Sequence, residues 1–511
     1  MRTKRFLSGL VSSYLAIGVN VGFTIASVPL ALHYLSREEF GIWALVTQIS
    51  GYLMLLEFGM SGSVARFLAD HKDDINGGVY GDILKTGSRV FLCQGGLVGL
   101  VGIAVAAFIP GLLEMPEQMH PLFVTLMGMQ ALLAGTKLAM NGLSSPLWSH
   151  QRLDISNLSN CISLVVQFAA LWLGFHLGWK LYSLVIASAF GSLSGIAVGY
   201  VACKRLGFYP SPGHRGKFDA VLFRNLFGFG GGIFLMNLGT QLASASQVIL
   251  VSRLLGLEAA SVWAIATKVF SLAQQFVARI LDASAGALAE MVVKEERNRL
   301  LLRFSHIVIL SAVIAAVAAA GIALMNQPFV EIWTSGRIAW SPLNDLLLAG
   351  VLFTTAVTRC HTGLVGLTKQ IRGMKYVYLL EGAVFVAAAL ALGNRWGFSG
   401  LLVASMLSNV TITGLYSMKR TASYFSIPFH ETFKWVWRPA RLLSVVAGLF
   451  LLLQLPAVAA MSAFWRLGSA CLLLVAVFLP LLWHLGISVE IRRELVSSVR
   501  GLADGFRRVI R

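Results

Sequence analysis

At 511 residues the chain could hold several domains, yet only 13% of it is charged and its mean hydropathy is +0.74. No soluble globular class has that balance, so the composition indicates a polytopic membrane protein. The net charge of +18 does not indicate nucleic acid, because the 41 Lys and Arg lie in short stretches between apolar runs, where they orient the chain and attract anionic headgroups.

Met1–Arg5 is basic and leads into an apolar stretch too long for the core of a cleavable leader, so the first run is expected to stay as a helix. Fourteen runs of about 20 residues, the length a helix needs to cross a bilayer, are predicted at 8–34, 40–60, 87–110, 120–143, 157–178, 181–203, 226–250, 258–281, 304–325, 343–367, 376–394, 398–418, 440–457 and 464–486. This topology puts 31 basic residues on one side, 6 on the other and 4 inside the membrane. Cytoplasmic loops carry the excess of Lys and Arg, so both termini are expected in the cytoplasm of a bacterial inner-membrane protein. Cys93, Cys161, Cys203, Cys360 and Cys471 all fall in or beside apolar runs without a CxxC pair, which suits packing rather than chemistry.

The chain repeats itself. At an offset of 220, Leu35–Ala69 lies without gaps on Leu255–Ala289, matching Glu38 with Glu258, Trp43 with Trp263 and Thr47 with Thr267. At an offset of 222, Ala134-Gly-Thr136-Lys137 meets Ala356-Val-Thr358-Arg359. Helices 1–6 therefore read as a parallel copy of helices 7–12, an arrangement by which transporters bracket a central path. The expected domains are 1–205 and 206–420, two six-helix bundles, and 421–511, an extra helix pair. The tail 487–511 sets Ile491, Leu495, Val499, Leu502, Phe506 and Ile510 at helical spacing opposite several Arg, as an interfacial helix does, and Phe429–Trp437 is rich in the aromatics that favour headgroup depth.

Residues 35–66 carry a recognisable pattern. Leu35-Ser-Arg-Glu38-Glu39-Phe40-Gly41-Ile-Trp43-Ala-Leu is followed by Tyr52-Leu-Met-Leu-Leu-Glu57-Phe58-Gly59-Met60 and Ser63-Val-Ala-Arg66. The segment resembles the first helix pair of the polysaccharide transporter family of the multidrug/oligosaccharidyl-lipid/polysaccharide exporter superfamily, which includes the Wzx-type O-antigen flippases. Ser36 stands where Gly is usual and Glu57 where Asp is more usual. The resemblance implies a non-enzymatic flippase of polyprenyl-pyrophosphate-linked oligosaccharide, serving O-antigen (lipopolysaccharide) or exopolysaccharide synthesis. It also implies the glycosyltransferases and polymerase of that pathway as partners. A drug–cation antiporter and a lipid II flippase of the same superfamily remain open, as does a membrane glycosyltransferase. The last is disfavoured by short outer loops.

No P-loop or metal-ligand spacing occurs, so no cofactor or metal is expected. The informative residues are the charges at membrane depth. A Lys or Arg at a helix centre costs roughly 2.5–3.5 kcal/mol on insertion scales, so such residues should face water or a partner. Lys137, Arg359, Lys268 and Arg279 are the expected substrate-binding cations, because cations in a wet cleft offset the desolvation of a pyrophosphate. The alternative for each is a fixed ion pair, with Arg279–Asp282 the obvious one. Glu57, Glu381 and Asp282 are the expected ion-coupling acids, Glu57 having Arg66 or Lys137 as rival partners. Gln48, Asn141, Gln241, Gln247, Gln274 and Gln275 could bind sugar hydroxyls or join helices.

Overall fold

The computed structural model describes residues 2–113, 115–150, 152–368, 373–487 and 492. The described residues form helices and turns, with no strand. By packing, the chain divides into two units, Met1–Ile265 and Ala266–Arg511.

The first unit holds α1 (Arg2–Tyr34), α2 (Arg37–Leu53), α3 (Met60–Asp70), α4 (Val79–Leu112), α5 (His120–Ala139), α6 (Ser145–Ser149), α7 (Leu153–His176), α8 (Tyr182–Arg205), α9 (Ala220–Ser244), α10 (Ser246–Leu255) and most of α11 (Leu257–Ala266). Ser36 starts α2 with a capping box, its hydroxyl accepting from Glu39 N–H and the Glu39 carboxylate accepting from Ser36 N–H. Between α2 and α3 the chain turns through Phe58 and Gly59, both left-handed. Apolar burial cannot by itself join helices in lipid, so close backbone approach has to. The pair α4–α5 shows how: a Cβ on either Gly95 or Gly135 would lie 2.4 Å from the other's carbonyl oxygen. The helices α9 and α10 pack on α3 and α2. Gln241 Nε2 donates to the Gly51 carbonyl at 2.8 Å, the Tyr52 hydroxyl meets that of Ser246, and Arg37 pairs with Glu258 at 2.5 Å.

The second unit holds α12 (Lys268–Val293), α13 (Arg297–Trp333), α14 (Pro342–Leu367), α15 (Met374–Ser408), α16 (Leu415–Phe425), α17 (Phe429–Leu453), α18 (Pro456–Ala459) and α19 (Ala463–Leu473). At its centre α13 buries Ala312, Ala315, Ala316, Ala319, Ala320 and Ala323, small side chains that let α12, α14, α17 and α19 pack around it. Arg466 of α19 pairs with Glu331 and donates to Gln327 at 2.9 Å, tying the C-terminal pair to α13. Phe429–Trp437 is the start of α17, continuous with the span that follows. The expected interfacial helix from 493 onward lies outside the described residues.

Twelve helical segments among the described residues are long and apolar enough to cross a membrane, against the fourteen expected. One of them, Met374–Phe425, has 52 residues. At about 1.5 Å per residue that is ~78 Å, far beyond a ~30 Å hydrocarbon core. The segment folds back at Gly397, whose φ of 56° and ψ of −132° break the helix, and Glu381 on one arm bonds Asn409 and Thr413 on the other. It therefore covers two of the expected runs, 376–394 and 398–418. The expected run 258–281 falls on α11 and α12, where the helix breaks at Thr267 and charged residues follow. Element starts repeat at the offsets seen in the sequence: Arg37 with Leu257 for α2 and α11, His120 with Pro342 for α5 and α14.

Candidate functional site

In the second unit the polar residues of α12 form one stripe. Lys268, Ser271, Gln275, Arg279 and Asp282 follow helical spacing and all are exposed. Beside it, α14 presents Thr355, Arg359 and Thr362, three and four residues apart. Two bonds join the stripes: Gln274 Nε2 donates to Thr355 Oγ1 at 3.4 Å, and Arg359 pairs with Asp282 at 2.9 Å. Asp282 thus pairs across helices with Arg359 rather than with its neighbour Arg279. Both partners of that pair stay about half exposed (52% and 41%), so it is a pair at a wet face and not a buried lock.

Lys268 and Arg279 make no hydrogen bond or ion pair among the described residues, and in the first unit neither does Lys137 on α5. All three side chains are exposed. Each sits where the sequence expects membrane depth, and each has its charge available.

The acids behave differently. Glu57 Oε1 accepts from Ser61 N–H at 2.6 Å, closing the start of α3, and neither Arg66 nor Lys137 is its partner; Arg66 lies 3.6 Å from Asp70. Glu381 is buried, accepting from Asn409 Nδ2 at 2.9 Å and from the Thr413 hydroxyl, while Thr358 Oγ1 donates to Asn409 Oδ1 at 3.1 Å. Residues 409–414 form a π-helical turn, a widened loop that often marks functional positions. Since Thr358 precedes Arg359, α14 carries the exposed cation on one face and the link to Glu381 on the other.

The sequence did not single out Asn409 or Thr413, and marked Thr358 only as part of the repeated tetrad, since small polar residues in an apolar helix give no signal of their partners until the hairpin brings them to Glu381. It also missed Asp345, which is 1% exposed and accepts from Asn326 Nδ2 and Trp340 Nε1, both at 2.7 Å. Of the amides at span positions, Asn141 reaches Ser61 at 2.5 Å, Gln241 reaches Gly51, and Gln274 reaches Thr355, all across helices. Gln247 bonds to Ala243, four residues back along its own segment. No group of metal-ligating side chains occurs among the described residues.

Comparison with known proteins gives the chain's family and fold. Residues 6–292, more than half of the chain, match the model of a family described as polysaccharide biosynthesis protein. No curated protein matches the sequence significantly. Among solved structures, an inward-facing multidrug resistance MATE transporter of the MOP superfamily superposes with a TM-score of 0.67 at 12% identity, covering 78% of this chain and 94% of its own. The lipid II flippase MurJ in an inward closed conformation gives 0.64 at 13%, covering 92% and 97%. A MOP superfamily transporter from Pyrococcus furiosus, whose binding pocket is described as reversed in polarity, gives 0.63 at 11%, covering 83% and 97%. The chain belongs to the polysaccharide biosynthesis protein family, built on the transporter fold of the MOP superfamily.

Proposed function

We propose that this membrane transporter is a flippase that carries a polyprenyl-pyrophosphate-linked oligosaccharide across the bacterial inner membrane, with both termini cytoplasmic. The observation that carries the reading is the asymmetry of charge at the span positions. Lys137, Lys268 and Arg279 are exposed and unpaired among the described residues, whereas Glu57 closes a helix, Asp282 pairs with Arg359 and Glu381 is buried in a hydrogen-bonded cluster. In each unit, exposed cations without an acidic partner favour an anionic head over a cationic drug. Phosphates would be held in the first unit by Lys137 and in the second by Lys268, Arg279 and Arg359, the last able to grip bidentately once released from Asp282. The polar stripe of α12, with its exposed Ser271 and Gln275, offers hydroxyl and amide partners for sugars. Glu57, Glu381 and Asp282 are the acids through which an ion could couple to transport. No bond is made or broken, and anionic lipids and the enzymes that build and polymerise the glycan are the expected neighbours.

The test is export of lipid-linked oligosaccharide by Lys137→Gln and Arg359→Gln, each normalised to its abundance in the membrane. Each is expected to lose most export while still inserting. Normal export by both would make these cations structural and remove the reading.

A further inference from the structure

Away from the cation stripe, the first unit carries a single file of aromatic rings. The stretch joining α8 to α9 is strapped along the start of α4. Ser211 N–H donates to Asn76 Oδ1 at 3.0 Å, Lys217 N–H to Asp82 Oδ1 at 2.6 Å and Asp219 N–H to Thr86 Oγ1 at 3.1 Å. Glycines at 81 and 216 permit the approach: a Cβ on Gly216 would fall 2.1 Å from the Gly81 carbonyl carbon. The strap places the Phe218 ring 5.8 Å from the Arg89 guanidinium carbon. From there the rings continue at centroid spacings of 6.4 Å to Phe223, 5.9 Å to Phe227, 5.9 Å to Phe58 and 5.0 Å to Phe234. Phe58 enters the file from the left-handed turn between α2 and α3, where its carbonyl oxygen would lie 2.5 Å from a Cβ on Gly230 of α9. The file is not sealed, since Phe218 is 42% and Phe227 44% exposed. Helical rise of about 1.5 Å per residue makes the helical stretch from Ala220 to Phe234 ~21 Å long, much of the depth of a ~30 Å hydrocarbon core.

The Phe218 end is basic. Lys85 and Arg89 are one turn apart on α4, Lys217 precedes Phe218 and Arg224 follows Phe223; all four are exposed and in no ion pair among the described residues. Two acids lie among them, Asp82 accepting the Lys217 N–H and Asp219 the N–H groups of Val221 and Leu222, so four cations stand against two carboxylates. An apolar rail with an excess of positive charge at one end matches an amphiphile with a long apolar chain and an anionic head. The rings form a single file, which suits one long chain.

We propose that this rail is a docking site for a polyprenyl pyrophosphate, its isoprenoid chain lying along Phe218–Phe223–Phe227–Phe58–Phe234 and its phosphates on Lys85, Arg89, Lys217 and Arg224. The proposal rests on the flippase reading and adds a site on the first unit distinct from Lys137. Arg89 holds a phosphate oxygen on one side and the Phe218 face on the other, which places the head where the chain begins.

The experiment is native mass spectrometry of the full-length protein titrated with polyprenyl pyrophosphate and, separately, with phosphatidylglycerol. Lys85→Gln/Arg89→Gln should weaken polyprenyl pyrophosphate binding roughly tenfold, from the loss of two headgroup cations. Phe227→Ala, at an exposed ring, should weaken it several-fold, and neither change should alter phosphatidylglycerol binding. Wild-type binding by all rail variants would overturn the site while leaving the flippase reading intact. Equal binding of phosphatidylglycerol, in competition with the polyprenyl lipid, would make the rail an ordinary lipid contact and also overturn it. Failure of the wild-type protein to bind polyprenyl pyrophosphate at all would count against the flippase reading itself.

Discussion

Glu381 and Glu57 show how differently two carboxylates at span positions are used. Glu381 receives an N–H on one oxygen and an O–H on the other, both from residues sixteen or fewer positions past the Gly397 fold. Glu381→Leu would remove both acceptor oxygens and leave the Asn409 N–H and the Thr413 hydroxyl without their partner. An unsatisfied buried polar group costs about 1–3 kcal/mol, so the variant should melt measurably lower in detergent. An unchanged melting temperature would mean that the cluster is not satisfied as described. Glu57 needs only an acceptor for Ser61 N–H. Glu57→Gln keeps one and should stay near wild-type stability, whereas Glu57→Ala should lose about 1 kcal/mol, as other helix-start substitutions do. The Arg359–Asp282 pair separates structure from function more sharply. With both side chains about half exposed, Asp282→Asn should shift stability by no more than ~1 kcal/mol. Export should change nonetheless, because Arg359 would lose the partner that competes with substrate. Equal export across substrate concentrations would show the pair to be idle.

At the scale of elements, legibility followed periodicity. Apolar runs and the Leu35–Arg66 pattern are local signals, and the sequence carries them openly. The pairing of Asp282 was misread because spacing on one helix favoured Arg279, three residues away, while the actual partner lies on a different helix. The tight hairpin at Gly397 was visible only as a short gap between two apolar runs. Its backbone explains why the gap can be so short: φ 56°, ψ −132° is a conformation that glycine reaches and side-chain-bearing residues do not. Strain of this kind costs on the order of 1–3 kcal/mol. Gly397→Ala should therefore lower the amount of folded protein in the membrane and lower its melting temperature, while Gly448→Ala, a glycine with open space around it, should do neither. Comparable levels for the two variants would mean the turn relaxes without cost.

At the scale of the whole molecule the open question is how the chain threads the bilayer. Charge gives one answer: 31 of the 41 Lys and Arg fall on one side only if the stretch from Glu258 to Val293 crosses the membrane. Length and apolarity give less support there, since α11 and α12 break at Thr267 and carry Lys268, Arg279 and Asp282 in the following helix. The repeat favours crossing. Leu35–Ala69 reads gaplessly onto Leu255–Ala289, and both copies are broken helices, the first at Phe58 and Gly59 and the second at Thr267, which corresponds to Thr47 within α2. A broken, polar helix is tolerated at membrane depth when its polar face meets water or protein, and the stripe on α12 is such a face. The deciding measurement uses single cysteines in a background with the five native cysteines replaced. Glu258→Cys should react with a membrane-impermeant thiol reagent added to intact cells. Val293→Cys, at a side chain 82% exposed, should react only after the membrane is permeabilised. If neither reacts from outside, the outward position of Glu258 fails and with it the crossing. If both do, the segment does not cross and every helix after it inverts, placing the basic stretches from 294 onward outside, against the rule that oriented the whole chain.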